Sequence, residues 1–463
     1  MRPGRIHAFS GRRWRSTLLI LLGLLSATSA AASGFYIPGH GVRSMGRGGA
    51  AVVGVWDLNA LWYNPALLAG IEGHQFLLDV NVTHQSVRFE RAPRTLDNGE
   101  QVVFDAVDNA SPPLPIPQIG YATELLEDRL FLGVGLFAPN GAGIRYPEAG
   151  SQRYTAIDNA ESFLLTSEVA LSVRVTDWLW LGAGLQNLMM RYRIVATAAG
   201  YPGVIGDPED RDMDTLLDVD FQSYFNPSGI FGLWVDTQMG LQVGASVQLP
   251  VSIYDEEGTF RQRFPAHPLF DDATLEGDSI ASGLDLPLIV RAGLRFAQPR
   301  WDIELDMVWE RWSSSQEVVL SPQELIVHGI PGVGSVAVGE FLMPRNQRDT
   351  WSLRLGGDWE TLENRLTLRA GFLWEQGAVP AQTVSVLLAD ATKYGLSLGA
   401  TVVVAEGVEL DVGYSHLFYE SVNVSDSLIR QLNPSNPEGG IVVGNGRYEM
   451  SANLGGVGVR VGW

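Results

Sequence analysis

Residues 288–296 read LIVRAGLRF, and residues 301–309 read WDIELDMVW. In each stretch one face is apolar, while the other face carries arginines in the first stretch and carboxylates in the second. Alternation with a period of two is the pattern of a β-strand. A soluble sandwich has no use for so many charges opposite an apolar face, whereas a wall between lipid and a wet lumen requires them. The two stretches therefore predict neighbouring strands of a membrane β-barrel.

The same alternation recurs along the chain and predicts fourteen strands. Tight and long connections alternate without exception, as expected when turns face the periplasm and loops face the outside. An even number of strands closes the sheet without a free edge. The predicted fold class is all-β, a 14-stranded antiparallel transmembrane β-barrel in the outer membrane of a Gram-negative bacterium. The predicted strands are 75–90, 117–125, 129–138, 161–175, 179–193, 227–236, 239–254, 286–297, 300–312, 349–360, 364–375, 393–404, 407–418 and 450–463.

Tryptophan spacing gives an independent measure of the height of this wall. Trp301 and Trp309 are eight residues apart, as are Trp351 and Trp359 on the next strand. Eight residues at about 3.3 Å each, tilted by about 40°, span roughly 20 Å, close to the height of an outer-membrane apolar band. The chain ends on an alternating strand that closes with Trp463, a pattern that suits recognition by the barrel-assembly machinery.

The N-terminal segment 1–32 has the features of a secretory signal peptide. Arginines precede an apolar run at 18–25, which is too short to span a bilayer, and Ala30-Ala31-Ala32 offers a small-residue cleavage site. A twin-arginine signal at Arg12-Arg13 is the alternative. Removing the segment takes away five arginines and no acidic residue, so the net charge falls from −20 to −25. So acidic a chain is not expected to bind nucleic acid.

Several motifs of known enzyme classes are missing from the sequence. It contains no cysteine, no H-E-x-x-H and no P-loop, and its histidines are scattered without ligand spacing. We therefore expect no enzymatic activity, no cofactor and no metal. The acidic run at 207–214 is interpreted as a solvated loop, with a divalent-cation site as the alternative.

Charged side chains on the predicted inner face can pair across neighbouring strands. A mutually neutralising network in the lumen is the structural interpretation. The alternative is that one of the arginines holds the carboxylate of a ligand through paired hydrogen bonds. The arginines in question are Arg191, Arg193, Arg291, Arg295, Arg354 and Arg369, and the last four lie opposite Glu304, Asp306, Asp358 and Asp411.

The third and fourth predicted loops contain more large apolar side chains than a sugar or ion porin needs. A contiguous apolar patch there predicts a binding groove for a hydrophobic ligand. The groove residues are Leu216, Leu217, Phe221, Phe225, Phe260, Phe264 and Phe270.

The segment 33–71, between the signal and the first strand, is glycine-rich and too short to fold as a domain. Its position predicts a plug within the barrel, and we call it the hatch. It contains Asn64-Pro65-Ala66, for which an ordinary turn is the alternative interpretation. The predicted organisation is thus a signal at 1–32, the hatch at 33–71 and the barrel at 72–463.

In their order and spacing, several short motifs resemble the FadL-type outer-membrane transporters of long-chain fatty acids and other hydrophobic compounds, including their aromatic-hydrocarbon branch. The likeness covers essentially the whole mature chain. The matching stretches are Ser33-Gly34-Phe35, residues 46–50 (GRGGA), Asn64-Pro65-Ala66, residues 133–141 (GVGLFAPNG), Arg145-Tyr146-Pro147, Arg153-Tyr154, residues 309–313 (WERWS) and residues 368–372 (LRAGF).

The resemblance implies passive uptake of a hydrophobic small molecule by a monomer surrounded by outer-membrane lipid. Cargo would enter by the loop groove, reach an inner pocket, and leave sideways through a kinked third strand after the hatch moves. An open porin for polar solutes is the alternative function. The implied hatch residues are Phe35, Asn64, Pro65 and Ala66, with the tripeptide beside the kink, and the implied kink residues are Gly133, Gly135, Phe137, Pro139, Asn140 and Gly141.

Overall fold

The computed structural model describes residues 39–96, 98–138, 143–159, 161–200, 207–330, 334–432 and 440–463. The predicted signal peptide lies outside these residues, as do Phe35 and the kink candidates Pro139, Asn140 and Gly141. The chain forms a closed antiparallel barrel of fourteen strands, which confirms the predicted fold class.

Each strand pairs with the next along the chain, and the last pairs with the first. Several strands are interrupted or carry a short extension above the membrane. The strands are β1 (His74–Arg91), β2 (Leu114–Leu126), β3 (Leu130–Phe137), β4 (Phe163–Thr176), β5 (Leu179–Ala199), β6 (Asp214–Asp236), β7 (Leu241–Gln248 and Val251–Arg263), β8 (Ser279–Leu286 and Ile289–Gln298), β9 (Trp301–Glu310, extended by Glu317–Gln323), β10 (Phe341–Pro344 and Thr350–Leu362), β11 (Leu366–Glu375), β12 (Lys393–Ala405), β13 (Val408–Tyr419, extended by Val422–Val424) and β14 (Gly446–Gly462).

Shorter elements occupy the connections. The loops contain a two-stranded sheet, a three-stranded sheet and four 3-10 turns. These are Arg94–Thr95 with Gln101–Val102, Thr274–Glu276 with Ile326–Ile330 and Gly334–Ala337, the strand Val107–Asp108 beside β1, and the turns Arg211–Met213, Pro268–Phe270, Trp312–Ser314 and Ala381–Thr383.

The barrel closes at a seam between β1 and β14. The two strands pair without interruption from Gln75 opposite Gly462 to Arg91 opposite Gly446. At the periplasmic end His74 and Trp463 exchange backbone hydrogen bonds of 3.0 and 3.1 Å. Their rings also stack, with centroids 5.5 Å apart. The first residue of β1 and the residue that follows β14 are therefore joined directly.

The faces of the strands follow the alternation in the sequence. On β9, Trp301 and Leu305 are exposed, whereas Glu304 and Asp306 are fully buried. Trp301 lies opposite Trp359 and Trp309 opposite Trp351, so the matched spacing of the tryptophans gives two cross-strand pairs on the outer wall. None of the helices in the described residues is long and apolar enough to cross a membrane.

Strands β5 to β8 run further than the sequence predicted. The predicted loop at 194–226 is strand from Asp214 onwards, and β7 continues to Arg263. Leu217, Val219 and Phe221 are buried on one face of this extension. The two-residue period outlasts the apolar band because strand pairing above the membrane needs no lipid-facing wall.

Strand β3 is shorter than its neighbours and leaves a notch in the wall. Its pairing with both neighbours ends at Phe137, which lies opposite Gln118 of β2 and Thr166 of β4. Within the described residues, Leu114–Pro117 of β2 and Phe163–Leu165 of β4 therefore have no partner on the β3 side. Two of these residues, Pro115 and Pro117, are prolines, which lack the N–H donor and are tolerated at such unpaired edges.

The described part of the hatch, residues 39–71, lies inside the barrel. It forms helices α1 (Val42–Gly46) and α2 (Ala60–Tyr63), followed by a 3-10 helix at Pro65–Gly70. Arg47 bonds to carboxylates of β9 and β10, while Leu61 lies against β3 on the opposite side. The segment therefore reaches across the lumen.

Candidate functional site

A cavity of about 790 Å³ lies in the outer half of the barrel, between the strands and the long loops. Most of its lining is aliphatic or aromatic, which suits an apolar ligand. Representative lining residues are Ile116, Leu164, Met190, Leu320, Phe341 and Leu387.

The cavity borders the notch beside β3. All four residues of Leu114–Pro117 and all three of Phe163–Leu165 line it, as does Ala138, which follows the last residue of β3. Phe163 is also half-exposed on the outer surface. Among the described residues, those that surround the notch thus lie between the apolar interior and the outer wall.

The lining of the cavity also includes an arginine that was not predicted from the sequence. Arg345 lines it, beside Tyr192. Its backbone is fixed, because Arg345 N–H donates to the Gln316 carbonyl at 2.9 Å and the Thr383 hydroxyl donates to the Arg345 carbonyl at 2.7 Å. Burial lowers the pKa of Arg345, and nearby Tyr192 opposes that shift. An arginine in an apolar cavity is a group that can hold a carboxylate.

Arg191 and Arg193, the predicted candidates for a ligand carboxylate, already bind carboxylates of the protein. Arg191 lines the cavity, and its Nη2 lies 2.7 Å from Asp220 Oδ2. Arg193 makes two hydrogen bonds of 2.8 Å to Asp218. These arginines therefore tie β5 to β6.

The predicted groove residues do not form one surface. Leu217 lines the cavity and packs in a buried cluster with Phe221 and Phe260. Phe225 is 78% exposed on the outer wall. The remaining residues are half-buried and do not line the cavity; they are Leu216, Phe264 and Phe270.

Arginine–carboxylate pairs hold the extracellular loops together. Arg94 Nη2 lies 2.5 Å from Asp207 Oδ1, and Arg153 Nε lies 2.6 Å from Asp214 Oδ2. Partial burial favours the neutral form of Asp207, but the Glu209 N–H and the Arg94 guanidinium outweigh it and lower the pKa of Asp207. The acidic run thus binds arginines, and the described residues hold no group of three acidic or histidine ligands suited to a metal.

The tripeptide of the hatch is fixed by hydrogen bonds to strands other than β3. Asn64 Nδ2 donates to the carbonyls of Val52 and Leu233, both at 2.9 Å, and Asn64 Oδ1 caps the 3-10 helix by accepting from Ala66 N–H at 3.2 Å. Pro65 occupies the first position of that helix, which needs no donor. The Ser172 hydroxyl of β4 donates to the Ala66 carbonyl at 2.9 Å.

Two wall glycines make this close approach possible. A Cβ on Gly182 of β5 would lie 2.3 Å from Ala66 N, and one on Gly232 of β6 would lie 2.0 Å from Asn64 Oδ1. The expected neighbour was β3, whose Gly133 and Gly135 instead lie against Leu61 and Leu68 of the hatch.

On the opposite side, the hatch is held by charge. Arg47, which has no exposed side-chain surface, lies 2.6 Å from Asp358, 2.9 Å from Asp302 and 2.7 Å from Glu304. Backbone N–H groups of the hatch also donate to wall carboxylates, with Ala51 2.7 Å from Asp306 Oδ2. These charged contacts were not visible in the sequence.

The predicted lumen network is therefore only partly between strands. Arg369 bonds to Asp358 and Asp411 as the pattern suggested, and Arg295 bonds to Asp302. Arg354 instead lies 3.5 Å from Glu375, and Arg291 donates to Gln248 at 2.9 Å. Glu304 and Asp306, predicted to face these arginines, mainly bind the hatch.

One group of side chains in the loops has the composition of a hydrolase triad. In the three-stranded loop sheet, His328 Nδ1 lies 2.7 Å from Ser335 Oγ and His328 Nε2 lies 2.6 Å from Glu276 Oε2. The three side chains are exposed and come from three adjacent strands. Their hydrogen bonds tie the sheet together.

Comparisons with known proteins agree with this architecture. The family described as "Outer membrane protein transport protein (OMPP1/FadL/TodX)" matches residues 23–461. A long-chain fatty acid transport protein of Salmonella typhi is 25% identical over 159 residues, which is 33% of each chain. Its counterpart in Escherichia coli (strain K12) is 24% identical over 159 residues, 33% of this chain and 32% of the relative. The chain thus matches about a third of the length of these curated relatives.

Solved structures share the fold. The crystal structure of a Pseudomonas aeruginosa FadL homologue has a TM-score of 0.74 at 19% identity, covering 93% of this chain and 100% of that one. The P. putida toluene transporter TodX has a TM-score of 0.65 at 18% identity, covering 93% and 99%.

Proposed function

The chain belongs to the OMPP1/FadL/TodX family of outer-membrane transport proteins, and from that premise we propose that it takes up hydrophobic molecules across the outer membrane. The observation that carries the proposal is the apolar cavity of about 790 Å³ bordered by the notch beside β3. Transfer of an apolar molecule into a wet lumen is unfavourable, whereas its transfer into lipid is favourable.

The proposed route leads from the loops into the cavity and then sideways through the notch into the membrane. Leu114–Pro117 and Phe163–Leu165 form its two sides. The hatch blocks the direct path along the barrel axis, and movement of the hatch near Leu61 and Leu68 would widen the passage behind β3. Lateral exit and hatch movement are both parts of this proposal.

The proposed cargo is an apolar chain or ring, with a single acidic group as the favoured form. Arg345 is the residue that we propose for that group, because it lines the apolar cavity and its backbone is fixed by hydrogen bonds to Gln316 and Thr383. Some relatives are named for long-chain fatty acids, and a structural neighbour is named for toluene. Comparing an acid with an alkylbenzene therefore tests the preference.

The decisive experiment is uptake of labelled fatty acid or alkylbenzene in a strain that lacks its own transporter. Because the chain has no cysteine, Ile116→Cys with Leu164→Cys can be bridged across the notch by a bis-maleimide. Bridging should stop uptake, while the wild type treated with the same reagent should stay active. Unchanged uptake after complete bridging would exclude exit through the notch.

The alternative functions make different predictions. A polar-solute porin would give large steady ionic currents in single-channel recordings, whereas a plugged barrel should not. We propose no enzymatic activity, so the purified protein should leave ester substrates intact. Hydrolysis that disappears in Ser335→Ala would support an enzyme instead. We further propose that the protein is a monomer in lipid, and a monomeric mass in detergent would support this oligomeric state. We also propose that its terminal strand is recognised during assembly of the barrel.

A further inference from the structure

The most informative side chain that the proposed route leaves unassigned is His40, at the start of the described hatch. Its ring lies 5.5 Å from the Trp62 ring and 5.2 Å from the Phe137 ring, and those two rings are 5.8 Å apart. Phe137 is the last residue of β3, and the next residue, Ala138, lines the cavity. The imidazole thus packs against the last residue of β3, one residue before the cavity lining and beside the notch.

This imidazole is buried without a partner at one nitrogen. His40 is only 6% exposed, and its Nε2 makes no hydrogen bond to any residue in the described part of the chain. A buried polar atom that lacks a partner costs free energy, and such atoms in folded proteins call for an explanation. Trp62 and Phe137 alone would pack against a purely apolar side chain at least as well.

The hatch holds His40 in place. The Ser44 hydroxyl donates to the His40 carbonyl and lies 3.0 Å from the Gly41 carbonyl. Tyr63 in turn bonds to that hydroxyl at 3.3 Å. His40 is also flanked by Gly39 and Gly41, both at φ 81°, a conformation that other residues adopt only with strain. The backbone that carries the imidazole is therefore fixed by its own segment.

The surroundings favour a neutral ring. Burial disfavours the charged form of histidine, and the Arg291 guanidinium lies 5.2 Å from the Trp62 ring, on which the imidazole also packs. A neutral imidazole has one donor and one acceptor nitrogen. It can bond to a hydroxyl, a carbonyl or a carboxyl group, whereas a hydrocarbon offers it nothing.

We infer that His40 is a specificity-determining residue of the proposed route, at which a cargo with an oxygen-bearing head group gains a hydrogen bond that a hydrocarbon of equal length cannot make. This inference rests on the proposed function. It assigns His40 to passing cargo and Arg345 to cargo held in the cavity, so that the two positions act in sequence. A site with a polar group that needs a partner discriminates strongly against an analogue that lacks one.

The test compares hexadecanoic acid with hexadecane, in cells that lack another transporter. His40→Phe removes the polar atom and keeps an aromatic ring, and it should lower uptake of the acid by about tenfold while hexadecane uptake is unchanged or higher. His40→Gln places an amide near the position of Nε2 and should restore the preference for the acid. Equal losses for both cargoes, or no change for either, would overturn the inference.

Two further measurements keep the outcomes apart. Binding of a fluorescent fatty acid to purified His40→Phe protein should match the wild type, because Arg345 and the cavity are unaltered; impaired binding would place His40 in the cavity site and overturn the division of roles. If the wild type moves neither cargo, the proposed function itself fails. If His40→Phe does not assemble, His40→Leu is a smaller apolar replacement for the same comparison.

Discussion

The two sides of the hatch differ in what holds them to the wall. Towards β9 and β10 the contacts are charged, with Arg47 between three carboxylates. Towards β2 and β3 they are apolar, with Leu58 against Gly120 and Leu61 against Gly133 and Gly135. Near β6 the Trp56 and Trp234 rings meet at 4.5 Å.

This difference indicates where the hatch can separate from the wall. A buried charge that loses its partner is expensive, so the side towards β9 and β10 resists movement. Separating an apolar contact costs less free energy when an apolar cargo takes the place of the departing side chain, because the cargo makes a similar packing contact. The weaker side faces β3, where the notch lies.

The largest expected effect comes from breaking the charged side. Arg47→Ala leaves Asp302, Glu304 and Asp358 buried without this cation and should destabilise the seated hatch by about 3–5 kcal/mol. The measurement is protease cleavage of the hatch in purified barrels, with ionic conductance as a second readout. Arg43→Ala is the control, because Arg43 is partly exposed and its ion-pair contacts are 3.8 and 3.9 Å. Equal sensitivity of the two variants would contradict the anchoring role.

Breaking the apolar side should have a different result. Leu61→Ala removes the side chain that packs on Gly133 and Gly135, at a cost of about 2–5 kcal/mol for a buried leucine. Because Arg47 still anchors the hatch, we expect ionic conductance to stay low while uptake of hydrophobic cargo holds or rises. A conductance increase as large as that of Arg47→Ala would show that the two sides are not distinct.

The tripeptide lies between these two sides, and changing it should have a smaller effect than breaking either side. Asn64→Ala leaves the carbonyls of Val52 and Leu233 without their amide donor, which costs about 1–3 kcal/mol. We expect impaired uptake with normal barrel assembly, measured by heat-modifiable migration on gels. Asn59→Ala is a matched control, since the buried Asn59 amide has no hydrogen-bond partner among the described residues. A normal rate of uptake would reduce the tripeptide to a turn.

The smallest effect is expected outside the barrel, in the loops. The pKa of Asp207 is lowered in the folded protein, so its pairing with Arg94 stabilises the loops at pH values above about 4, the pKa of aspartate in the unfolded chain. This stabilisation is lost as the pH falls through the lower pKa that Asp207 has in the folded protein. The pair is partly exposed, so screening limits the effect to about 1 kcal/mol or less. Proteolysis of the loops should rise in Arg94→Ala and in high salt. Identical proteolysis at all salt concentrations would argue against the pair.

The barrel was predictable because the alternation within each strand distinguishes its apolar face from its polar face. The alternation from Trp301 to Trp309 is local to one strand and can be recognised without knowing which residues lie next to it in space. The facing tryptophans of β9 and β10 confirm it. The strand extensions were not predictable, because their apolar residues also fit the pattern of an apolar groove. Leu217 and Phe221 are apolar for packing within an extended sheet, rather than for an open surface.

The site was less predictable, because its residues meet only in three dimensions. Arg47 and Glu304 are 257 positions apart and share no local pattern. Arg345 follows Pro344, and nothing nearby in the sequence indicates that it lines the same cavity as Ile116 or Leu164. His40 lies between two glycines, which suggests a turn and gives no sign of its aromatic neighbours.

The seam between His74 and Trp463 has a consequence for biogenesis. The ends of the strand array meet there, so the ring is complete only after the last strand has been delivered. The hatch directly precedes β1, so we expect it to be enclosed when the seam forms. Arg47 and its carboxylates on β9 and β10 can meet while the sheet is still open. From this connectivity we therefore expect the hatch to be in place before the seam between β1 and β14 closes.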